Sequence, residues 1–146
     1  MNINKLLQKY HSWERLLKKE ETYLKKKLIE KADKLFSIFI RGRDKECITC
    51  GKPIQHNAHR ISRGYYSHRW DEDNCAGACA WCNTYNQEEH KVLFTVAQIK
   101  KHWQEWVDKQ LREKHKKKPT IDELLGIISK YEKSKKQVLK KENKSL

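Results

Sequence analysis

The sequence predicts an α+β protein that is mostly helical, in which basic helices flank a small unit held together by cysteines. Two Cys-x-x-Cys pairs stand near the middle of the chain, and apolar residues recur at helical spacing on both sides of them. Between the pairs, Gly, Pro and short extended runs replace the helical pattern. A chain of 146 residues with 36% charged residues has little apolar surface for one large core. We therefore expect one small folded unit with helical extensions.

The composition argues against membrane insertion and against export. No apolar run is longer than residues 36–40, whereas a membrane span needs roughly 18 residues. The first 19 residues alternate Leu and Tyr with Lys and Glu, and they lack the continuous apolar region of a secretory signal. We expect a soluble protein of the cytoplasm, a compartment in which thiols stay reduced.

Residues 1–40 form the first predicted segment, a basic helix that ends near Phe39. Its apolar residues recur mostly at steps of three, four or seven, with Lys and Glu between them. This stripe has two interpretations, packing on the protein's own core or pairing with a second copy in a homodimer. It comprises Leu6, Tyr10, Trp13, Leu17, Leu24, Leu28 and Leu35.

Residues 41–93 form the second predicted segment, which contains all five cysteines. Short runs such as residues 58–61 predict a small hairpin, a polar loop follows from Gly64 to Asn74, and a helix begins near residues 79–82.

Residues 94–146 form the third predicted segment, with two basic helices. Capping boxes at Thr95 and at Thr120 predict their starts, and the chain is expected to fray from Lys133 onward.

Four of the cysteines have the spacing of a structural zinc site. Two Cys-x-x-Cys knuckles can present four thiolates tetrahedrally to one Zn²⁺, a closed arrangement without an open coordination position. The predicted ligands are Cys47, Cys50, Cys79 and Cys82. Two disulfides or four unrelated thiols are the alternatives. The fifth cysteine, Cys75, is expected to be a small buried hydrophobic residue, although it could replace Cys79 as a ligand.

Three residues between and beside the knuckles have a second spacing pattern. His59, Asn74 and Asn83 follow one another at separations of 15 and 9, and Asn83 comes directly after the last cysteine of the second knuckle. Laid over the cysteine pairs, this pattern resembles the HNH nucleases. The resemblance implies a ββα-metal (His-Me finger) unit, a two-stranded hairpin followed by a helix around one divalent cation.

A closer resemblance rests on longer motifs. Residues 58–64 (Ala-His-Arg-Ile-Ser-Arg-Gly), residues 69–74 (Arg-Trp-Asp-Glu-Asp-Asn) and Cys79-x-x-Cys82-Asn83 are similar to the phage NinG/Rap recombination endonucleases. That family implies a zinc-containing, HNH-like enzyme, encoded by a phage or prophage, that cuts branched DNA such as D-loops and four-way junctions.

Each of the three residues has a role that its chemistry allows. An unperturbed imidazole has a pKa of about 6.5, so His59 can accept a proton from water as a general base. The amide oxygen of Asn83 can bind a catalytic Mg²⁺ or Mn²⁺, which would stabilise the departing 3′-oxygen. By its family position, Asn74 should brace the loop and orient the imidazole through a hydrogen bond.

The second ligand of that cation is not identified by the resemblance. In many HNH nucleases an Asp or His directly before the base binds the metal, but this chain has Ala58 there, which has no ligating atom. We expect Asp71 first, since hard cations prefer carboxylate oxygen. The other local candidates are Asp73, His56, His68 and His90.

The net charge of +14 favours nucleic acid as the partner, and 4 of the 33 basic residues lie in residues 47–90. Two of these four, Arg63 and Arg69, could clamp a phosphate or form salt bridges to Asp71 or Asp73. Outside that region, basic clusters that could line phosphate backbones include Lys100, Lys101, Lys116 and Lys117. Tyr65 and Tyr66 could stack on unpaired bases, whereas Trp103 and Trp106 are expected to favour core packing.

These observations, together with the resemblance to the NinG/Rap endonucleases, predict a metal-dependent endonuclease, and the resemblance implies that it acts on branched or single-strand-containing DNA. Two alternatives remain. A zinc-dependent DNA-binding module without cleavage is favoured by Ala58. An HNH endonuclease of the restriction or homing type would instead cut duplex DNA at particular sequences.

Overall fold

A computed structural model describes residues 2–142 of the chain. Four α-helices surround one two-stranded sheet: α1 (Ile3–Arg43), β1 (His56–His59), β2 (Cys75–Ala78), α2 (Ala80–Thr84), α3 (Gln87–Arg112) and α4 (Ile121–Glu142). A short 3-10 helix (Tyr66–His68) lies in the loop between the strands. The mostly helical α+β class is therefore confirmed. Among the described residues, no helix is long and apolar enough to cross a membrane.

Helix α1 is uninterrupted for 41 residues. Asn2 caps its start, with the side-chain oxygen accepting from the Asn4 N–H at 3.0 Å, and no Pro or Gly occurs before Gly42. Only its C-terminal part is packed, with Ala32, Leu35, Phe36 and Ile40 buried. Packing on the protein's own core is confirmed for this end. For residues 3–24 this expectation is wrong, because their apolar side chains are exposed.

The first core lies between α1 and α4. Phe36 packs edge-on against Tyr131, with ring centroids 5.2 Å apart, and Ile128 and Cys75 complete this layer. Cys75 is buried, as expected for a small hydrophobic residue.

Helix α4 begins as predicted, because Thr120 and Glu123 exchange the two hydrogen bonds of a capping box at 2.7 and 3.2 Å. It continues to Glu142 instead of fraying from Lys133, while residues 143–146 lie outside the described residues.

The second core lies beneath the sheet. Strands β1 and β2 are antiparallel, with His56 opposite Ala78 and His59 opposite Cys75. Three cysteines of the two knuckles, Cys47, Cys79 and Cys82, pack there with Ala58, Ala76, Ala78 and Phe94. The predicted hairpin strand is thus present, but its partner lies beyond the polar loop. The following helix α2 is also present, with Cys79 at its N-cap.

Helix α3 differs most from the prediction. It starts at Gln87, so Thr95 is inside it and its hydroxyl donates to the Lys91 carbonyl at 2.8 Å instead of capping the helix. The predicted boundary between residues 93 and 94 falls within this helix. A kink with left-handed backbone occurs at Trp103 (φ 71°), where the side chain is 81% exposed. Core packing was the wrong expectation for this tryptophan, whereas Trp106 is half-buried and stacks on His102.

Candidate functional site

The four predicted zinc ligands lie together. The sulfur atoms of Cys47, Cys50, Cys79 and Cys82 all lie within 4.8 Å of one another, and the Sγ atoms of Cys50 and Cys79 are 3.6 Å apart. Four ligands at about 2.3 Å around Zn²⁺ would have sulfur–sulfur separations of about 3.8 Å, so the cluster fits a tetrahedral zinc site. The two knuckles thus form a cluster that could bind a metal such as zinc.

Local backbone geometry positions each knuckle. In the first, Gly51 adopts φ +70° and its N–H donates to the Cys47 carbonyl at 2.9 Å, while the Cys47 N–H donates to the Lys52 carbonyl at 2.8 Å. In the second, the Sγ of Cys79 accepts from the Cys82 N–H at 3.4 Å. Both turns aim their sulfur atoms at a common point.

The electrostatics of the cluster suit a cation. Burial opposes ionisation of Cys47, but backbone N–H donors at Cys79, Cys50 and Thr49 outweigh it and lower its pKa to about 6. At Cys82, burial and the neighbouring thiols raise the pKa instead. Crowded thiols cannot all ionise by themselves, and a bound metal ion would supply the charge that stabilises four thiolates.

A cleft beside this cluster contains the predicted base. His59 is at the end of β1, and its Nε2–H donates to the Arg69 carbonyl at 2.9 Å. Because a carbonyl only accepts, this bond places the proton on Nε2 and leaves the Nδ1 lone pair free to accept one. Burial, with Arg63 and Arg69 nearby, lowers the pKa of His59 below 6.5, although the carbonyl bond and Asp33 oppose the shift. The imidazole is therefore neutral at pH 7.

Asn83 lies in the same cleft as His59. It is in α2, and its amide nitrogen is 3.2 Å from Nδ1 of His56, an atom that can accept a hydrogen bond. With the nitrogen so engaged, the amide oxygen is the atom that can bind a cation.

Asn74 is fully buried and holds the loop between the strands. Its Oδ1 accepts from the Ile61 N–H at 2.8 Å, and its Nδ2 donates to the Ile61 and His68 carbonyls at 2.9 Å each. The expected bracing of the loop is present. The expected hydrogen bond to the imidazole is not, because the Arg69 carbonyl occupies Nε2 of His59. Asn74 thus acts on that ring through the loop that carries Arg69.

Basic side chains form part of the cleft wall. Arg60, Arg63 and Lys91 line it together with His59. The Nε and Nη2 atoms of Arg60 are buried and have no hydrogen-bond partner among the described residues. Burial lowers the pKa of this guanidinium, an effect that Asp71 partly offsets. An anion such as a phosphate would satisfy these donors.

Arg69 does not take part in this wall. Its guanidinium forms a two-pronged salt bridge to Asp33 of α1, with contacts of 2.9 and 2.6 Å, and it also donates to the Arg63 carbonyl at 3.0 Å. The salt-bridge alternative is therefore the observed one, but the partner is Asp33, not Asp71 or Asp73. Arg69 positions His59 through its carbonyl instead of clamping a phosphate.

The first choice for a second cation ligand is misplaced. Asp71 is not among the residues that line the cleft, and its carboxylate caps its own turn by accepting from the Asp73 N–H at 2.9 Å. Asp73 instead pairs with Lys101 at 2.6 Å. Ala58, 1% exposed, points into the second core, because alternate residues of a strand face opposite sides.

The predicted DNA-binding lysines are less uniform than the sequence suggests. Lys100 is exposed on α3, while Lys101 is held by Asp73. Lys116 and Lys117 are exposed in the segment before α4, and the ammonium of Lys116 lies 5.2 Å from the centre of the Tyr65 ring. Tyr65 is thus already covered on one face.

Sequence reasoning missed several residues of the cleft. Asn57 could have been found, since it precedes His59 by two residues on the same face of β1. Gln87 and Lys91 could not have been found, because the capping box at Thr95 predicts a helix that starts after them, whereas α3 starts at Gln87. The cleft is lined by Asn57, His59, Arg60, Ser62, Arg63, Asn83, Gln87, His90 and Lys91.

Comparison with known proteins identifies the family of the chain. A family model described as Bacteriophage Lambda NinG protein matches residues 4–142, which is nearly the whole chain. No curated protein and no solved structure matches it. The chain therefore belongs to the NinG family, a membership that indicates a phage recombination-related function.

Proposed function

We propose that the protein is a metal-dependent DNA endonuclease that cleaves branched or single-strand-containing recombination intermediates, such as D-loops and four-way junctions. The observation that supports this best is the cleft itself. It contains a neutral imidazole with a free Nδ1, an amide oxygen, and the guanidinium of Arg60, two of whose nitrogens have no hydrogen-bond partner among the described residues. Those are the parts that hydrolysis of a phosphodiester needs, namely a base, a cation ligand and a phosphate clamp.

The chain's own residues divide the reaction between them. Arg60, Arg63 and Lys91 bind the phosphate, and Nδ1 of His59 takes a proton from a water molecule as its oxygen attacks phosphorus. The bond from phosphorus to the 3′-oxygen then breaks, and the leaving oxygen takes its proton from solvent. Asn83 would hold a divalent cation, which would act as a Lewis acid and stabilise the negative charge that develops on the leaving 3′-oxygen.

The preference for branched DNA rests on family membership, not on the charged residues. Exposed lysines on α3 and before α4 contact phosphates without reading bases, which suits recognition of shape. The cysteine cluster is a structural part of this proposal, since zinc bound to all four sulfurs has no open position for catalysis.

Cleavage assays with matched substrates and variants test the proposal. A four-way junction and a linear duplex of the same sequence are incubated with Mg²⁺ or Mn²⁺ and the wild-type protein, His59→Ala or His11→Ala. His11 is exposed on α1 and serves as the control. We expect junction-selective cutting that is lost in His59→Ala and kept in His11→Ala.

The other outcomes identify the alternatives. Binding of both DNAs without cutting by any protein would indicate a zinc-dependent binding module. Equal cutting of linear duplex, dependent on His59, would indicate a sequence-directed HNH enzyme.

A further inference from the structure

We propose that His90 supplies the cation ligand that Ala58 cannot, so that His90 and Asn83 together bind the divalent ion of the cleft. This inference rests on the proposed nuclease function and deepens it by completing the cation site. It replaces Asp71, which does not line the cleft, with a residue of helix α3, whose start lies earlier in the chain than the sequence predicts.

The burial of His90 points to a missing partner. The residue is 4% exposed and lies in the first turn of α3. Its Nε2 is buried and has no hydrogen-bond partner among the described residues, and His90 is one of the residues that line the cleft. A buried ring nitrogen without a partner is unfavourable, and a ligand at this atom would remove that penalty.

The other ring nitrogen is held as in metal-binding histidines. Nδ1 of His90 contacts the hydroxyl oxygen of Thr49, which lies between the two cysteines of the first knuckle. Histidines that bind metals through one nitrogen usually donate the other N–H to an oxygen. With the proton on Nδ1 and donated to Thr49, the lone pair of Nε2 is free to bind a cation. Burial also lowers the pKa of His90, which keeps the ring neutral.

The neighbours of His90 complete the site. Asn83 of α2 and His59 of β1 line the same cleft, so three elements meet there. One imidazole and one amide oxygen leave most coordination positions to water and phosphate, as is common for catalytic divalent ions. Because imidazole favours transition metals over Mg²⁺, Mn²⁺ is the suitable probe.

Pulsed EPR of Mn²⁺ reports the ligand directly. The zinc-loaded protein is labelled with ¹⁵N-histidine and measured with Mn²⁺, alone and with four-way-junction DNA. We expect a ¹⁵N coupling from a bound imidazole, lost in His90→Gln and kept in His59→Ala and His56→Gln. An uncoupled spectrum for the wild type in both conditions, or an unchanged coupling in His90→Gln, would overturn the proposal.

A second measurement needs no variant and covers the case in which His90→Gln fails to fold. In wild-type protein, Mn²⁺ should broaden the ring NMR signals of His90 and His59 before those of His11 and His115. Ring signals of His90 that stay sharp at saturating Mn²⁺ would contradict the site. If Mn²⁺ binds through His90 but no DNA is cleaved, the nuclease function is refuted and the cation site is not. If the protein cleaves DNA while the His90 ring signals stay sharp, His90 is refuted as a cation ligand and the nuclease function is not.

Discussion

At the scale of single residues, the hydrogen bond from His59 to the Arg69 carbonyl determines which ring nitrogen can accept a proton. It places the proton on Nε2, and the surroundings keep the ring neutral at physiological pH. The sequence predicted the residue from its spacing to Asn74 and Asn83. It could not predict the carbonyl of Arg69 as the orienting group, because that contact depends on how the loop folds.

The lowered pKa of His59 predicts the pH dependence of cleavage. A general base must be neutral, so the rate should be level between pH 7 and 8 and fall only below pH 6.5, as the ring becomes protonated. Single-turnover cleavage of junction DNA as a function of pH measures this. An inflection above pH 7 would contradict the assigned environment of His59.

Arg60 predicts a trade-off between stability and binding. Replacing it with Met removes buried donors that have no partner among the described residues, so we expect the free energy of unfolding to rise by about 1 kcal/mol. DNA affinity should fall by about tenfold because a phosphate contact is lost. Urea denaturation and binding titrations measure the two effects.

Arg63→Met is the matched control. Arg63 is exposed in the same cleft, so its replacement should weaken DNA binding without a gain in stability. If Arg60→Met destabilised the protein while Arg63→Met did not, the guanidinium of Arg60 would have a structural partner.

At the scale of elements, Asp44 connects the end of α1 to the sheet. Its Oδ2 accepts from the Gly77 N–H at 2.6 Å, and its carboxylate also pairs with Arg43, which donates to the Glu72 and Cys75 carbonyls. Strand β2 is therefore held by β1 on one edge and by the end of α1 on the other. The Cys-x-x-Cys spacings predicted the two knuckles, but no local pattern predicted this connection between segments distant in sequence.

Two glycines give opposite predictions for the same substitution. A Cβ at Gly77 would lie 3.0 Å from two atoms of Ile54 and 3.1 Å from Cβ of Asp44, so Gly77→Ala should destabilise by about 1–3 kcal/mol. A Cβ at Gly126, within α4, meets nothing within 4 Å, so Gly126→Ala should stabilise by about 0.4–1 kcal/mol. Thermal and urea unfolding of both variants measure the difference. Equal effects would show that strand β2 is not packed as described.

At the scale of the whole molecule, α1 and α4 form one layer over the sheet and the cysteine cluster forms the other side. Glu72, in the loop between the strands, accepts from Lys130 at 2.7 Å and from the Tyr131 hydroxyl at 3.0 Å, which ties that loop to α4. Periodicity predicted the helices and a capping box predicted the start of α4. Neither could show which face of a long amphipathic helix stays exposed, because that depends on contacts far along the chain.

The exposed end of α1 predicts tolerance to truncation. Residues 3–24 contain nine exposed large apolar side chains, and the buried part of the helix starts near Leu28. A protein that starts at Lys25 should bind as much zinc per chain as the full-length protein and lose less than about 1 kcal/mol of stability. Metal analysis and urea denaturation check this, and failure to fold would place part of the core in the deleted segment.

Light scattering of the same two proteins tests the second interpretation of the α1 stripe, a homodimer. If the apolar stripe of α1 joins two copies, the full chain has the mass of a dimer and the truncated chain that of a monomer.

Chemical rescue tests the role of His59 in the reaction. His59→Gly leaves space for free imidazole, which can replace the missing base if the rest of the cleft is intact. We expect His59→Gly to lose at least about a hundredfold in junction cleavage and to recover part of it as imidazole is added. His59→Gly that cuts as fast as wild type, or rates that imidazole leaves unchanged while the variant binds DNA and zinc normally, would contradict this role.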